Sequence, residues 1–272
     1  MTKSGEGRVK MGSRHLRVWA AFALAWLPLL SAPALGASSR VALVIGNSTY
    51  ASAPLKNPRN DASELARLLQ HKLGFEVQLV LDGDEEKIKR ALAEFGRQLA
   101  AGKGVGFFYF SGHGVRVGAR NYLLPVGRRF DSEADIDLFA VEAQQVLNRM
   151  EAAGNALNIV VLDACRDYPL PRGARSAAKG LARIESAPPR SVIAFATAAG
   201  AVADDNPREP NGLYTKHLLK RLTQPGRRLE DVFNAVSNDV YQESHRQQRC
   251  RERCPVASDA PRGTTRNALG PA

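Results

Sequence analysis

Two apolar runs, residues 105–110 and residues 159–162 within the strand pattern 158–163, constrain this chain more than any other feature. They are too short for buried helices and lack the polar alternation of a half-exposed strand. They therefore read as strands buried on both faces, as in a parallel sheet. Further strand patterns at residues 41–45, 75–81 and 190–197 alternate with helical ones at 61–73, 85–101, 140–152, 214–222 and 229–242. In the first of these helices Leu65, Leu68 and Leu69 share one apolar face. Strand and helix in alternation predict an α/β domain with a mostly parallel central sheet and helices on both faces. With 272 residues and 44% hydrophobic content, the chain has enough material for one such core of about 200 residues.

Each of the two apolar runs leads into a residue with chemistry to offer. The first runs into Ser111-Gly112-His113-Gly114 and the second into Asp163-Ala164-Cys165-Arg166, with His113 and Cys165 52 residues apart. Open α/β sheets place their sites beyond the carboxyl ends of parallel strands, so the two side chains are expected at one sheet edge. A thiol is mostly protonated at neutral pH. An imidazole can take its proton, stabilise the thiolate and later protonate a leaving amine. His113 is thus the candidate base and Cys165 the candidate nucleophile. The glycines permit close approach of a substrate, and the backbone amides of Gly114 and Cys165 are candidate oxyanion donors. Singly, a cysteine after an apolar strand is ordinarily a core residue. The pairing with His113 is what raises it above that.

Ser111-Gly112-His113-Gly114 followed by Asp163-Ala164-Cys165-Arg166 resembles the caspase-like cysteine peptidases. The acids at Asp163 and Asp167 depart from the animal caspase signature and resemble the bacterial caspase-like, metacaspase and paracaspase branches. The likeness extends to Val41-Ala42-Leu43-Val44-Ile45-Gly46-Asn47 with Tyr50, to Asn57-Pro58-Arg59-Asn60-Asp61, to Asn121-Tyr122-Leu123-Leu124-Pro125, and to Asn211-Gly212-Leu213-Tyr214-Thr215. It covers roughly residues 40–244 and implies a three-layer caspase-like fold and cysteine endopeptidase activity. By the same resemblance Asp61, Asp163 and Asp205 would line the pocket for the residue before the scissile bond. Clustered carboxylates repel one another and are relieved by a guanidinium or ammonium, so cleavage after Arg or Lys is expected. The expected partners are protein or peptide substrates with basic residues. Two other readings stay open: a catalytically silent caspase-like interaction module, and another α/β thiol hydrolase.

The net charge of +11 does not point to nucleic acid. Residues 1–39 and 245–272 each carry +4, leaving +3 for the folded part, where no basic patch is interleaved with aromatics. Residues 1–36 read as a signal peptide, with a basic start, a 13-residue apolar stretch from Val18 to Leu30 and Ala34-Leu35-Gly36 before the cut. That stretch is shorter than the roughly 20 residues of a usual span. Export to a periplasm or beyond is expected, with no stable membrane span. The peptidase domain is placed at 37–244 and a structureless tail, aberrant for the family, at 245–272. Residues 167–189, with Arg172, Arg175, Lys179 and Arg183, read either as a solvated loop or as a cleavable linker. No cofactor is expected, and calcium activation is left open. Asp131, Glu133, Asp135 and Asp137 read as an acidic surface segment more readily than as a calcium loop.

Overall fold

The computed structural model describes residues 39–165, 177–178, 181–182, 184, 188–197, 206 and 208–253. Within them the expected alternation appears. The order is β1 (Arg40–Gly46), α1 (Pro58–Leu73), β2 (Glu76–Leu81), α2 (Glu85–Gly102), β3 (Val105–Val117), β4 (Arg120–Leu123), α3 (Glu133–Phe139), β5 (Val141–Glu142), α4 (Ala143–Ala152), β6 (Leu157–Cys165), β7 (Ala177–Ala178), β8 (Ser191–Phe195), α5 (Leu213–Leu222), α6 (Leu229–Glu243) and β9 (Arg251–Arg253). The main sheet runs β2-β1-β3-β6-β8-β9, parallel except for β9.

The pleat sorts the apolar strands between two cores. Ala42, Val44, Phe107, Tyr109, Ile159, Val161, Val192 and Ala194 face a cluster shared with α1, α5 and α6. Their neighbours Leu43, Ile45, Phe108, Phe110, Val160, Leu162, Ile193 and Phe195 face the other cluster, with α2 and α4. This is the three-layer α/β arrangement the sequence predicts. The helices end where local chemistry stops them: α1 closes on left-handed Gly74, and α2 opens with Asp84 accepting the Lys87 amide at 2.8 Å.

Three parts of the structure depart from the sequence reading. First, β3 does not stop at residue 110. It continues to Val117, first beside β6 and then antiparallel to β4, so that the glycine-rich stretch is strand rather than loop. Glycine weakens strand propensity locally, but the pairing of Gly112 with Ala164 on β6 and of Gly114 with Leu123 on β4 overrides it here. Second, the acidic surface segment at residues 131–139 carries a helix that the sequence pattern does not predict. A capping box between Ser132 and Asp135 starts α3, and Ile136 anchors it against Tyr122, Leu124 and Phe130. Third, the tail is not structureless throughout. Gln248 donates to the Ala196 carbonyl at 2.9 Å, and β9 adds antiparallel to β8. Strand addition to a sheet edge uses backbone groups, so a polar segment can pair without apolar periodicity.

The reading of 167–189 as a solvated loop also fails where it is described. Leu181 and Ile184 are buried in the α2/α4 core, and β7 runs antiparallel to β3. Residues 1–36, Asp205, Cys254 and the basic residues Arg172, Arg175, Lys179 and Arg183 lie outside the described residues. No helix among the described residues is long and apolar enough to cross a membrane.

Candidate active site

β3 and β6 are adjacent parallel strands, and their register sets His113 directly opposite Cys165. Two residues earlier the same register sets Ser111 opposite Asp163. The 52-residue separation in sequence thus collapses to neighbouring positions at one end of the sheet.

His113 is 2% exposed and is held from three directions. Its backbone amide donates to the Tyr50 hydroxyl at 2.9 Å, and that hydroxyl donates to the Leu124 carbonyl at 3.0 Å. The two rings pack with centroids 4.5 Å apart. Nε2 of the imidazole lies 2.7 Å from the carbonyl oxygen of Ala53. A carbonyl only accepts, so Nε2 carries the hydrogen, and in the neutral ring Nδ1 is the basic nitrogen. Ala53 sits in the loop after β1, with φ of 56°. That loop is pinned by Asn47, which bonds Gly83 and Leu124, and by Asp82, which accepts the Ser48 and Thr49 amides at 2.8 and 3.0 Å.

Glycine has a steric reason to flank the histidine. A Cβ on Gly112 would stand 2.5 Å from the Tyr50 hydroxyl, and on Gly114 it would stand 3.0 Å from the Ala164 Cβ and from Leu181. Gly114 lies opposite Leu123 in the β3/β4 hairpin. Both glycines therefore let β3 come close to its neighbours at the point where His113 meets β6.

Two of the three candidate pocket acids come together around the first turn of α5. Asp61, 1% exposed near the start of α1, accepts the Asn211 side-chain amide at 2.9 Å and the Gly212 backbone amide at 3.0 Å. Asp163, 6% exposed, accepts the Thr215 hydroxyl at 2.7 Å. Thr215 is in turn 2.6 Å from the Tyr109 hydroxyl. Burial pushes the Tyr109 phenol well above its ordinary range, and the negative charges of Asp163 and Asp61 push it further. The phenol therefore stays protonated. Asp205 lies outside the described residues, but Asn206 beside it is tied in: its carbonyl accepts the Asn57 amide at 3.0 Å, and its own amide donates to Asn211.

Several of these participants carry no individual signal in the sequence. The Ala53 carbonyl is a backbone group, and nothing in its side chain marks it. Tyr50, Asn211, Gly212 and Thr215 fall in segments that resemble family blocks, but the contacts they make in the site span 52 to 151 residues. The acidic residues considered for calcium are otherwise engaged. Asp131 pairs with Arg129 at 2.7 Å, Asp135 caps α3, and Asp137 takes Arg120 and the Tyr122 hydroxyl. Among the described residues no group of three or more His, Cys, Asp or Glu is arranged to hold a metal ion.

Comparison with known proteins agrees with this architecture. Over 211 residues the chain is 32% identical to the human mucosa-associated lymphoid tissue lymphoma translocation protein 1 and, equally, to its homolog from Mus musculus. The match takes in 75% of this chain but 24% of each relative, so the chain spans about a quarter of their length. A family model described as the caspase domain, of the C14 peptidases, matches residues 39–260, and with these relatives it supports a peptidase-type function. The chain belongs to the caspase-domain family.

Proposed function

We propose that the chain is an exported cysteine endopeptidase that cleaves after Arg or Lys. Cys165 would be the nucleophile and His113 the general base. The observation that carries this reading is the register pairing of His113 with Cys165, together with an imidazole whose Nε2 is committed to the Ala53 carbonyl. That commitment makes Nδ1 the nitrogen able to take a proton.

In the proposed cycle Nδ1 accepts the thiol proton and the sulfur of Cys165 attacks the scissile carbonyl carbon. The amides of Gly114 and Cys165 would donate to the oxyanion. On collapse the C–N bond breaks, the imidazolium gives its proton to the leaving amine, and an acyl-thioester remains. Water, deprotonated by His113, then attacks the thioester, the carboxylic acid leaves, and the proton returns to the sulfur. Asp61 and Asp163, buried around one helix turn, support a pocket for a cationic side chain, with Asp205 as its proposed third acid. No cofactor enters this cycle. The proposed route of export is the signal peptide at residues 1–36.

The test is hydrolysis of matched short amide substrates ending in Arg, Lys or Asp by the chain from Ala37 onward. The expected result is turnover of the Arg and Lys substrates that falls about a thousandfold or more in Cys165→Ala and in His113→Ala. Preference for Asp, or activity that survives Cys165→Ala, would refute the reading. A folded but silent protein, with and without calcium, would favour the interaction module instead.

A further inference from the structure

The Asp163 carboxylate sits at the end of a buried hydroxyl chain whose direction can be worked out from hydrogen counts. An ionised carboxylate only accepts, so the single hydroxyl hydrogen of Thr215 goes to Asp163. In the 2.6 Å contact between Thr215 and Tyr109, the hydrogen must then come from Tyr109. The chain runs Tyr109 to Thr215 to Asp163. Tyr109 and Thr215 are both fully buried. Each link in such a chain polarises the next, and in a low-dielectric setting the last donor is strengthened.

We infer that Thr215, oriented by Tyr109, is a specificity-determining positioning residue that holds Asp163 as a charged, fixed acceptor for a basic substrate side chain. The inference rests on the basic-pocket reading above and adds the device that makes it work. Two carboxylates converge on one helix turn, and the charge of each disfavours ionisation of the other. A hydroxyl donated to a carboxylate favours its charged form, and the Gly212 and Asn211 donors do the same for Asp61. The phenol remains a donor throughout the working range because burial holds it protonated. Thr215 stands in the third position of α5, and Gly212 is that helix's N-cap, so one rigid element sets both acids. Thr215 does not touch the scissile bond in this account. It acts on affinity for charge, through Asp163.

The experiment uses the inactive Cys165→Ala protein, so the readout does not depend on turnover. Calorimetry measures the Kd of a short acetylated peptide ending in Arg and of its citrulline counterpart, which keeps the shape and loses the charge. The added substitutions are Thr215→Val, Thr215→Ser and Tyr109→Phe. The expected result is a Kd for the Arg peptide raised about tenfold by Thr215→Val, restored by Thr215→Ser and raised to a lesser degree by Tyr109→Phe, with the citrulline Kd unmoved. If Thr215→Val does not fold, Tyr109→Phe carries the test by the same criterion. An unchanged Arg Kd, or equal losses for both peptides, overturns the inference and leaves the basic pocket standing. Equal binding of the two peptides by the unsubstituted pocket overturns the basic pocket itself, and the inference with it.

Discussion

Gly112 has φ of +156° and packs against a tyrosine hydroxyl that is tied at both ends. A methyl group there meets the Tyr50 oxygen at 2.5 Å and the Phe110 ring at 3.0 Å. The hydroxyl cannot move aside without breaking its bonds to the His113 amide and the Leu124 carbonyl. Gly112→Ala is expected to cost about 2–3 kcal/mol in urea unfolding and to displace the His113 backbone. Gly114→Ala meets Ala164 and the movable end of Leu181 at 3.0 Å, and is expected to cost about 1 kcal/mol. A Gly114→Ala loss equal to or larger than that of Gly112→Ala would contradict this account. The Ser-Gly-His-Gly pattern was legible as a candidate base between glycines. That the first glycine exists to admit Tyr50, from 62 residues earlier, was not, because steric contact between distant segments leaves no mark on local composition.

Helix α5 was legible as a helix from its apolar spacing, yet its importance lies at its two ends. Its first turn holds Asp61 and Asp163, and both its ends are clamped to α6. Arg221 makes two 2.7 Å bonds to Asp239, and Lys216 reaches Glu243 at 2.7 Å. The Arg221 hydrogen bonds hold the Asp239 carboxyl below its usual range, and Lys216 does the same for Glu243. A depressed folded-state value stabilises the fold above the ordinary carboxylate range of about 4, and that stability is lost as pH falls through the folded value. Melting temperature is therefore expected to drop as pH falls from about 4 toward 2. Asp239→Asn should flatten that drop and cost about 1 kcal/mol at pH 7, where the bidentate pair is lost. A pH profile identical in the parent and Asp239→Asn proteins would show that the clamp contributes nothing. The helix α3 was missed altogether in the sequence for a related reason. Its three acids, with Asp131 just before it, read as charges, while the capping box at Ser132 and Asp135 and the single buried Ile136 make it a helix.

At the scale of the whole molecule, β8 would be an open edge without the segment after α6. β9 covers it, and Gln248 and Cys250 both donate to the Ala196 carbonyl, at 2.9 and 3.1 Å. An uncovered strand presents unpaired backbone groups to other chains. Truncation after Glu243 is therefore expected to lower the melting temperature by several degrees and to promote concentration-dependent association in light scattering. An equally stable, monodisperse truncated protein would remove the segment from the folded unit. The sequence by itself determined the α/β class, the five parallel strands and the identity of the histidine and cysteine. Apolar runs of strand length can only be satisfied by burial on both faces, and the helices between them must cover those faces. Tertiary structure alone decided the extension of β3 past His113, the commitment of its Nε2 to the Ala53 carbonyl, the hydroxyl chain into Asp163 and the closing strand β9. These depend on backbone groups, steric gaps and single hydrogen bonds between segments far apart in the chain. Each is chosen by geometry that forms only once the sheet has assembled.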